Sequence, residues 1–186
     1  MTLKELVAQA RSTRRFDPSV DVSLEMLKSF VEVARMCPSA GNKQTLRYSL
    51  VASQRSAEVF PHLRWAGYLT DWAGPDPSQR PSAYIIIWHD SSRGSLSEVD
   101  LGIVAQSINL ACNDVGLRTC MIGAFDLAAI SALFSPSEPL SPQLVIAIGA
   151  PAETISLEPL TTDVRYYRTP DGVHHVPKRS LSDLIV

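Results

Sequence analysis

Apolar positions in this chain change their spacing every few tens of residues, and each change marks an element. Leu27, Phe30, Val31 and Ala34 recur at helical intervals behind Ser23, a residue suited to capping, which predicts an amphipathic helix ending near Met36 ahead of Pro38. Residues 46–52 and 83–89 are short and rich in β-branched or aromatic side chains and read as strands. The second of them, carrying Tyr84-Ile85-Ile86-Ile87-Trp88, is expected at the centre of a sheet.

From Asp100 onward, Leu101, Val104, Ile108, Ala111 and Val115 describe a second helix with a wide apolar face, which Gly116 ends as a C-cap. Gly102, Ala105 and Ser107 lie between them, so another backbone can approach closely. The helix suits the spine of a dimer or the core of a monomer equally. Residues 118–126 have strand character that gives way to a glycine turn, Asp126 is placed to cap a helix reaching Leu133, and residues 144–149 form a further strand closed by Ala150-Pro151. Asp100 reads likewise as a helix cap. Strands separated by helices in this order predict an α+β fold, a sheet covered by helices.

One stretch fits neither period. Residues 61–81 hold Trp65, Tyr68 and Trp72 among Gly67, Gly74, Pro75 and Pro77, and a connection of that length generally has a task. Its aromatic residues either pack back on the domain or form a lid, with Trp65 and Tyr68 facing a substrate.

Composition narrows the class. A chain of 186 residues with 45% hydrophobic content supports one domain over residues 1–186. A net charge of −2 gives no global attraction to nucleic acid or to an anionic membrane, so any basic function is local. Cys37, Cys112 and Cys120 lack metal-type spacing and form no disulfide framework; they read as reduced, buried thiols, and Cys37 as a small hydrophobe. The adjacent His174 and His175 read as exposed loop residues, and no metal site is expected. Met1-Thr2-Leu3-Lys4-Glu5 has no apolar signal core and no segment is long enough to span a bilayer, so the expected location is the cytoplasm.

The candidate chemistry lies in two short words. Arg11, Ser12 and Arg14 offer two permanently charged planar forks and a hydroxyl within four residues, a mixture suited to phosphate and carbonyl oxygens, although a surface arginine cluster or a nucleic-acid contact would use the same residues. In Pro38-Ser39-Ala40-Gly41-Asn42-Lys43-Gln44, Pro38 fixes its own φ and Gly41 can turn left-handed, so the chain can aim backbone N–H groups at a ligand. The amides of Asn42 and Gln44 both donate and accept. A plain helix-to-strand loop would have the same composition.

Together, in this order, Arg-Ser-x-Arg-x-Phe at 11–16 and Pro-Ser-x-x-Asn-x-Gln at 38–44 resemble the flavin-binding signatures of the nitroreductase family. The likeness extends over Asp100-Leu101-Gly102, Gly116-Leu117, the turn from Cys120 to Phe125, and Ile146-Ala147-Ile148-Gly149 with Pro151. It implies a central, mostly antiparallel sheet flanked by helices, and a homodimer holding two FMN molecules at its interface. By the same likeness Arg11 and Ser12 would hold phosphate or ribityl oxygens, with Lys178 and Arg179 completing the phosphate site. Arg14 would sit at the flavin N1/O2 edge, and the Met121-Ile122-Gly123 turn would lie near N5. The turn carrying Pro38, Ser39, Ala40, Asn42 and Gln44 would reach the partner subunit's cofactor.

The implied activity is ping-pong transfer of hydride from NADH or NADPH to an electron-poor small molecule such as a nitroaromatic, quinone or enone, with no catalytic side chain required. Two features depart from the pattern: Ala10 stands where the family commonly has a second arginine, and Thr45-Leu46-Arg47 where many relatives have Pro-Trp. A flavin-binding sensor or carrier, and a flavin-free interaction module on the same fold, are the alternatives.

Overall fold

The computed structural model describes residues 1–136 and 139–186. Helix α1 (Leu3–Gln9) opens on a capping box in which the Thr2 hydroxyl accepts from the Glu5 N–H and the Glu5 carboxylate from the Thr2 N–H. Strand β1 (Phe16–Asp17) follows, then helix α2 (Leu24–Arg35), capped by Ser23, which accepts from the Met26 N–H at 3.2 Å. A 3₁₀ turn at Ala40–Asn42 leads into strand β2 (Leu46–Val51), and the short helix α3 (Ser56–Val59) precedes the long aromatic connection. Strand β3 (Ala83–Asp90), helix α4 (Glu98–Asp114), strand β4 (Arg118–Ile122), helix α5 (Leu127–Phe134) and strand β5 (Leu140–Pro151) complete the main layer.

These strands form a five-stranded sheet in which β3 pairs with both β2 and β5, while β5 also pairs with β4 and β1. All of its pairings are antiparallel. Because side chains alternate across a strand, β3 feeds two cores. Ala83, Ile85 and Ile87 pack with Leu27 and Phe30 of α2 and with Val104 and Ile108 of α4. Tyr84, Ile86 and Trp88 pack on the opposite face with Val59, Leu63, Trp65 and Ile130. Each isoleucine is fully buried, which contributes about 1.5–3 kcal/mol per side chain relative to exposure.

A second, smaller sheet follows: β6 (Ile155–Pro159), β7 (Tyr167–Arg168) and β8 (His174–Lys178), with β8 in the middle, parallel to β6 and antiparallel to β7. No helix among the described residues is long and apolar enough to cross a membrane.

Four sequence expectations need correction. The last strand of the main sheet runs over Leu140–Pro151 rather than 144–149, since β3 supplies a ladder down to Leu140. Helix α4 begins at Glu98 with Ser97 as its cap; Asp100 lies in the first turn, where its carboxylate accepts from the Ala40 N–H at 3.1 Å. Gly116, at φ +84°, does follow the helix in the left-handed conformation of a C-terminal stop. His174 and His175 are not loop residues: both lie on β8, His174 fully buried and His175 half-buried. Of the three thiols, Cys112 and Cys120 are buried but Cys37 is only half-buried.

Candidate active site

Residues 10–13 are tied to the edge of β4 and to α4. The Thr13 N–H donates to the Thr119 carbonyl at 2.9 Å. Asn109 on α4 joins the three segments, donating to the Ala10 carbonyl at 3.3 Å and accepting from the Thr119 hydroxyl at 2.7 Å, and Asn113 donates to it one turn further on. A buried network of this kind is rigid because every broken bond would leave a polar group unsatisfied. It fixes Arg11, Ser12 and Arg14 beside the turn at Met121, Ile122 and Gly123.

Arg11 and Lys178 are the unbalanced charges of this region. Burial lowers the proton affinity of Arg11; burial and then the Arg11 charge lower that of Lys178. Among the described residues neither side chain pairs with a carboxylate, and Arg11 Nε is buried without a partner. Arg11 is half-buried and Lys178, at the end of β8, is exposed; two like charges held near each other raise the energy of the protein alone. An anion between them would lower it. Arg179, next in sequence, is exposed and instead donates to the Asp183 carbonyl.

Arg14 is enclosed. Its Nη1 donates to the Ser12 carbonyl at 3.2 Å and lies 3.1 Å from His174 Nε2, and its guanidinium stacks 4.5 Å from the Tyr166 ring centroid. The Arg14 and Arg15 N–H groups both donate to Glu153, whose other oxygen accepts from Arg168 at 2.7 Å in a buried ion pair. Glu153, Tyr166, Arg168 and His174 lie beyond the main sheet, where sequence reasoning had singled out Lys178 and Arg179; the Arg165-Tyr166-Tyr167-Arg168 run was the available signal.

Arg14, residues 120–124, Trp65 and Tyr166 line an open cavity of about 180 Å³. Trp65 itself is buried, stacked on Phe60 at 5.9 Å, whereas Tyr68 is half exposed and meets Tyr166 at 4.9 Å. The aromatic connection thus divides, one ring packing inward and another reaching the C-terminal region.

The other sequence word lies elsewhere. Pro38, Ser39 and Gln44 line a separate cavity of about 500 Å³ with Cys37, Tyr48 and Val104. Burial pushes the Tyr48 phenol up to about 12, so it stays protonated and able to donate. Gly41, Asn42 and Gln44 all take positive φ, at 58°, 53° and 51°. That conformation is uncommon for residues other than glycine and costs on the order of 1–3 kcal/mol each. The Ala40 bonds to Asp100 and the Gln44 N–H bond to Ser39 Oγ at 3.3 Å hold the turn. The structure therefore gathers Arg11, Ser12, Arg14, Met121, Ile122, Gly123 and Lys178 in one region, and Pro38, Ser39, Ala40, Asn42 and Gln44 in another.

Residues 7–150 match the sequence profile of the nitroreductase family. The chain belongs to that family. Solved structures agree on the fold. A nitroreductase family protein from Streptococcus pneumoniae is similar with a TM-score of 0.65 at 18% identity, covering 91% of this chain and 96% of its own. One from Clostridium difficile gives 0.62 at 22% identity, covering 82% and 86%. A nitroreductase from Exiguobacterium sibiricum in complex with FMN gives 0.63 at 19%, covering 82% and 90%. No curated protein matches the chain. The family match stops at residue 150, so Tyr166 and the small sheet that carries Arg168, His174 and Lys178 lie outside it.

Proposed function

We propose that this nitroreductase-family chain is an FMN-dependent oxidoreductase that takes hydride from NADH or NADPH and reduces an electron-poor small molecule, working as a homodimer. The observation that carries the reading is the Arg11 and Lys178 pair, a half-buried cation beside an exposed one, with no carboxylate paired to either among the described residues. A phosphate monoester fits them in charge and in hydrogen-bonding pattern. The FMN bound by the Exiguobacterium relative, of the same fold, supports the choice of phosphate ester.

When bound, FMN supplies the hydride chemistry, and the chain supplies binding, orientation and electrostatics. Arg11 and Lys178 would hold the phosphate, with Ser12 donating to phosphate or ribityl oxygen. Arg14 would place a fixed positive charge at the N1/O2 edge, where reduction builds negative charge. The Met121-Ile122-Gly123 turn would flank the ring at N5. Pro38, Ser39 and Gln44 line a different cavity of the same chain, so a complete site needs their counterparts from a second copy, and this supports the homodimer. Exposed Val99 on α4, Val115 just past its end, and Val33 and Met36 around α2 offer it apolar surface.

One observation favours the alternative of a flavin carrier without rapid turnover: Arg14 is already covered by Tyr166. Absorption from 300 to 550 nm, followed by anaerobic addition of NADH and separately NADPH, distinguishes the readings. A flavin band that either donor bleaches supports the reductase; a band that neither reduces points to the carrier. No band, even after incubation with FMN, overturns the cofactor assignment.

A further inference from the structure

The face of Arg14 proposed to meet the flavin is already covered: the Tyr166 ring centroid lies 4.5 Å from its guanidinium. Both residues line a cavity of about 180 Å³ together with residues 120–124 and the chain at 64–67, which includes Trp65. Much of that wall is anchored. The backbone at 120–122 is part of β4, the Ala124 carbonyl accepts from the Arg64 N–H at 2.9 Å, Trp65 is buried against Phe60 and the face of Gly74, and Arg14 is fixed through Glu153 and His174.

Tyr166, the ring over Arg14, is held less firmly. It is carried by residues 161–166, which belong to no helix or strand, and residues 161–165 are all exposed, so Tyr166 is the strap's one inward side chain. Asp163 accepts from the Arg165 N–H at 3.0 Å, a bond within the strap itself. The ring is held by contacts between side chains: Arg14 at 4.5 Å, His174 at 5.2 Å and Tyr68 at 4.9 Å, with the Tyr68 N–H donating to its hydroxyl at 3.4 Å. Tyr68 is itself half exposed on the aromatic connection. The strap's two ends are firm by comparison. Leu160 donates to the Lys178 carbonyl at 2.7 Å, and Arg168 is pinned between buried Glu153 and the Trp72 ring at 4.9 Å.

We propose that Tyr166, backed by Tyr68, is a gate on the cofactor cavity: its ring leaves the face of Arg14 to admit the flavin ring, which then takes that cationic face in its place. The inference rests on the FMN reading above and adds to it a residue outside the part of the chain that matches the family. Its physical content is an exchange of one π system for another over the same guanidinium. A closed gate lowers the fraction of molecules competent to bind, so apparent association slows by that fraction.

The test is stopped-flow quenching of FMN fluorescence by the full-length chain stripped of flavin, comparing wild type with Tyr166→Ala, Tyr166→Phe and Tyr68→Ala, each checked for an unchanged far-ultraviolet spectrum. Tyr166→Ala is expected to raise the association rate constant by about tenfold or more. Tyr166→Phe, which keeps the ring over Arg14, should stay near wild type. Tyr68→Ala, at an exposed position, should also accelerate binding and serves if Tyr166→Ala misfolds. Equal association rates in wild type, Tyr166→Ala and Tyr68→Ala would overturn the gate while leaving FMN binding intact. Absence of quenching in every variant would overturn the FMN reading, and the gate with it.

Discussion

The Nη1 of Arg14 lies 3.1 Å from Nε2 of His174, a buried imidazole facing a permanent donor. Arginine has no lone pair to offer, so Nε2 must accept and the proton must sit on Nδ1, which is buried without a partner. A second proton would set an imidazolium against the guanidinium, and burial, then the Arg14 charge, push His174 down to about 4 from its ordinary 6.5.

A pH dependence follows. Between pH 6.5 and about 4 the unfolded chain takes up a proton at this position that the folded chain refuses, so stability falls as pH falls through that window and levels off below it. Urea midpoints at pH 7.0, 5.5 and 4.5 should decline for the wild type. His174→Gln, whose carbonyl can still accept from Arg14, should flatten that part of the decline. An equal slope in both proteins would show that His174 does not govern it.

The Glu153 and Arg168 pair should dominate the attachment of the small sheet. With side chains 1% and 11% exposed, removal of one partner leaves a buried charge uncompensated, which costs about 3–5 kcal/mol. Glu153 also accepts from the Arg14 and Arg15 N–H groups, so Glu153→Ala strips the inner segment of its anchor. Denaturant unfolding of Glu153→Ala should show a loss in that range, and Glu153→Gln a smaller one because the amide oxygen can still accept.

How much of this was open to the sequence depends on where each interaction sits. Helix α2, strand β3 and the turn after α4 were legible because Ser23, the run from Tyr84 to Trp88 and Gly116 act through their immediate neighbours. Strand β5 was read too short, because its first residues are strand only by virtue of pairing with Trp88, His89 and Asp90, far away in the chain. The two flavin words were visible as words. The enclosure of Arg14 was not: Glu153 and His174 are separated from it by 139 and 160 positions, and nothing local distinguishes a histidine buried against an arginine from one on a loop.

Gly149 marks a place where the sheet tolerates no side chain. A Cβ built there would meet Phe16 Cδ1 at 2.9 Å and its Cβ and Cγ at 3.2 Å, and Phe16 is fully buried on β1. Relief requires β1 to shift away from β5, to which it is joined by only two register pairs. Overpacking of this kind costs typically about 1–3 kcal/mol. Gly149→Ala should lower the melting temperature accordingly, and Phe16→Leu in the same chain should restore part of the loss.

Arg11 and Lys178 should behave in the opposite sense. Their proximity, without a carboxylate on either, is a cost to the protein alone, so Lys178→Gln should leave the thermal stability of the flavin-free chain unchanged or slightly raise it. The same change removes one of two charges facing the proposed phosphate. A charge-assisted bond contributes about 1.5–3 kcal/mol, so FMN affinity should fall by about tenfold to a hundredfold. Arg11→Gln should do the same, with the additional sign that added inorganic phosphate no longer raises the melting temperature. Measuring melting curves with and without FMN on the three proteins separates the two effects. Loss of stability in the flavin-free variants, with FMN affinity intact, would assign these cations to the fold instead of the ligand.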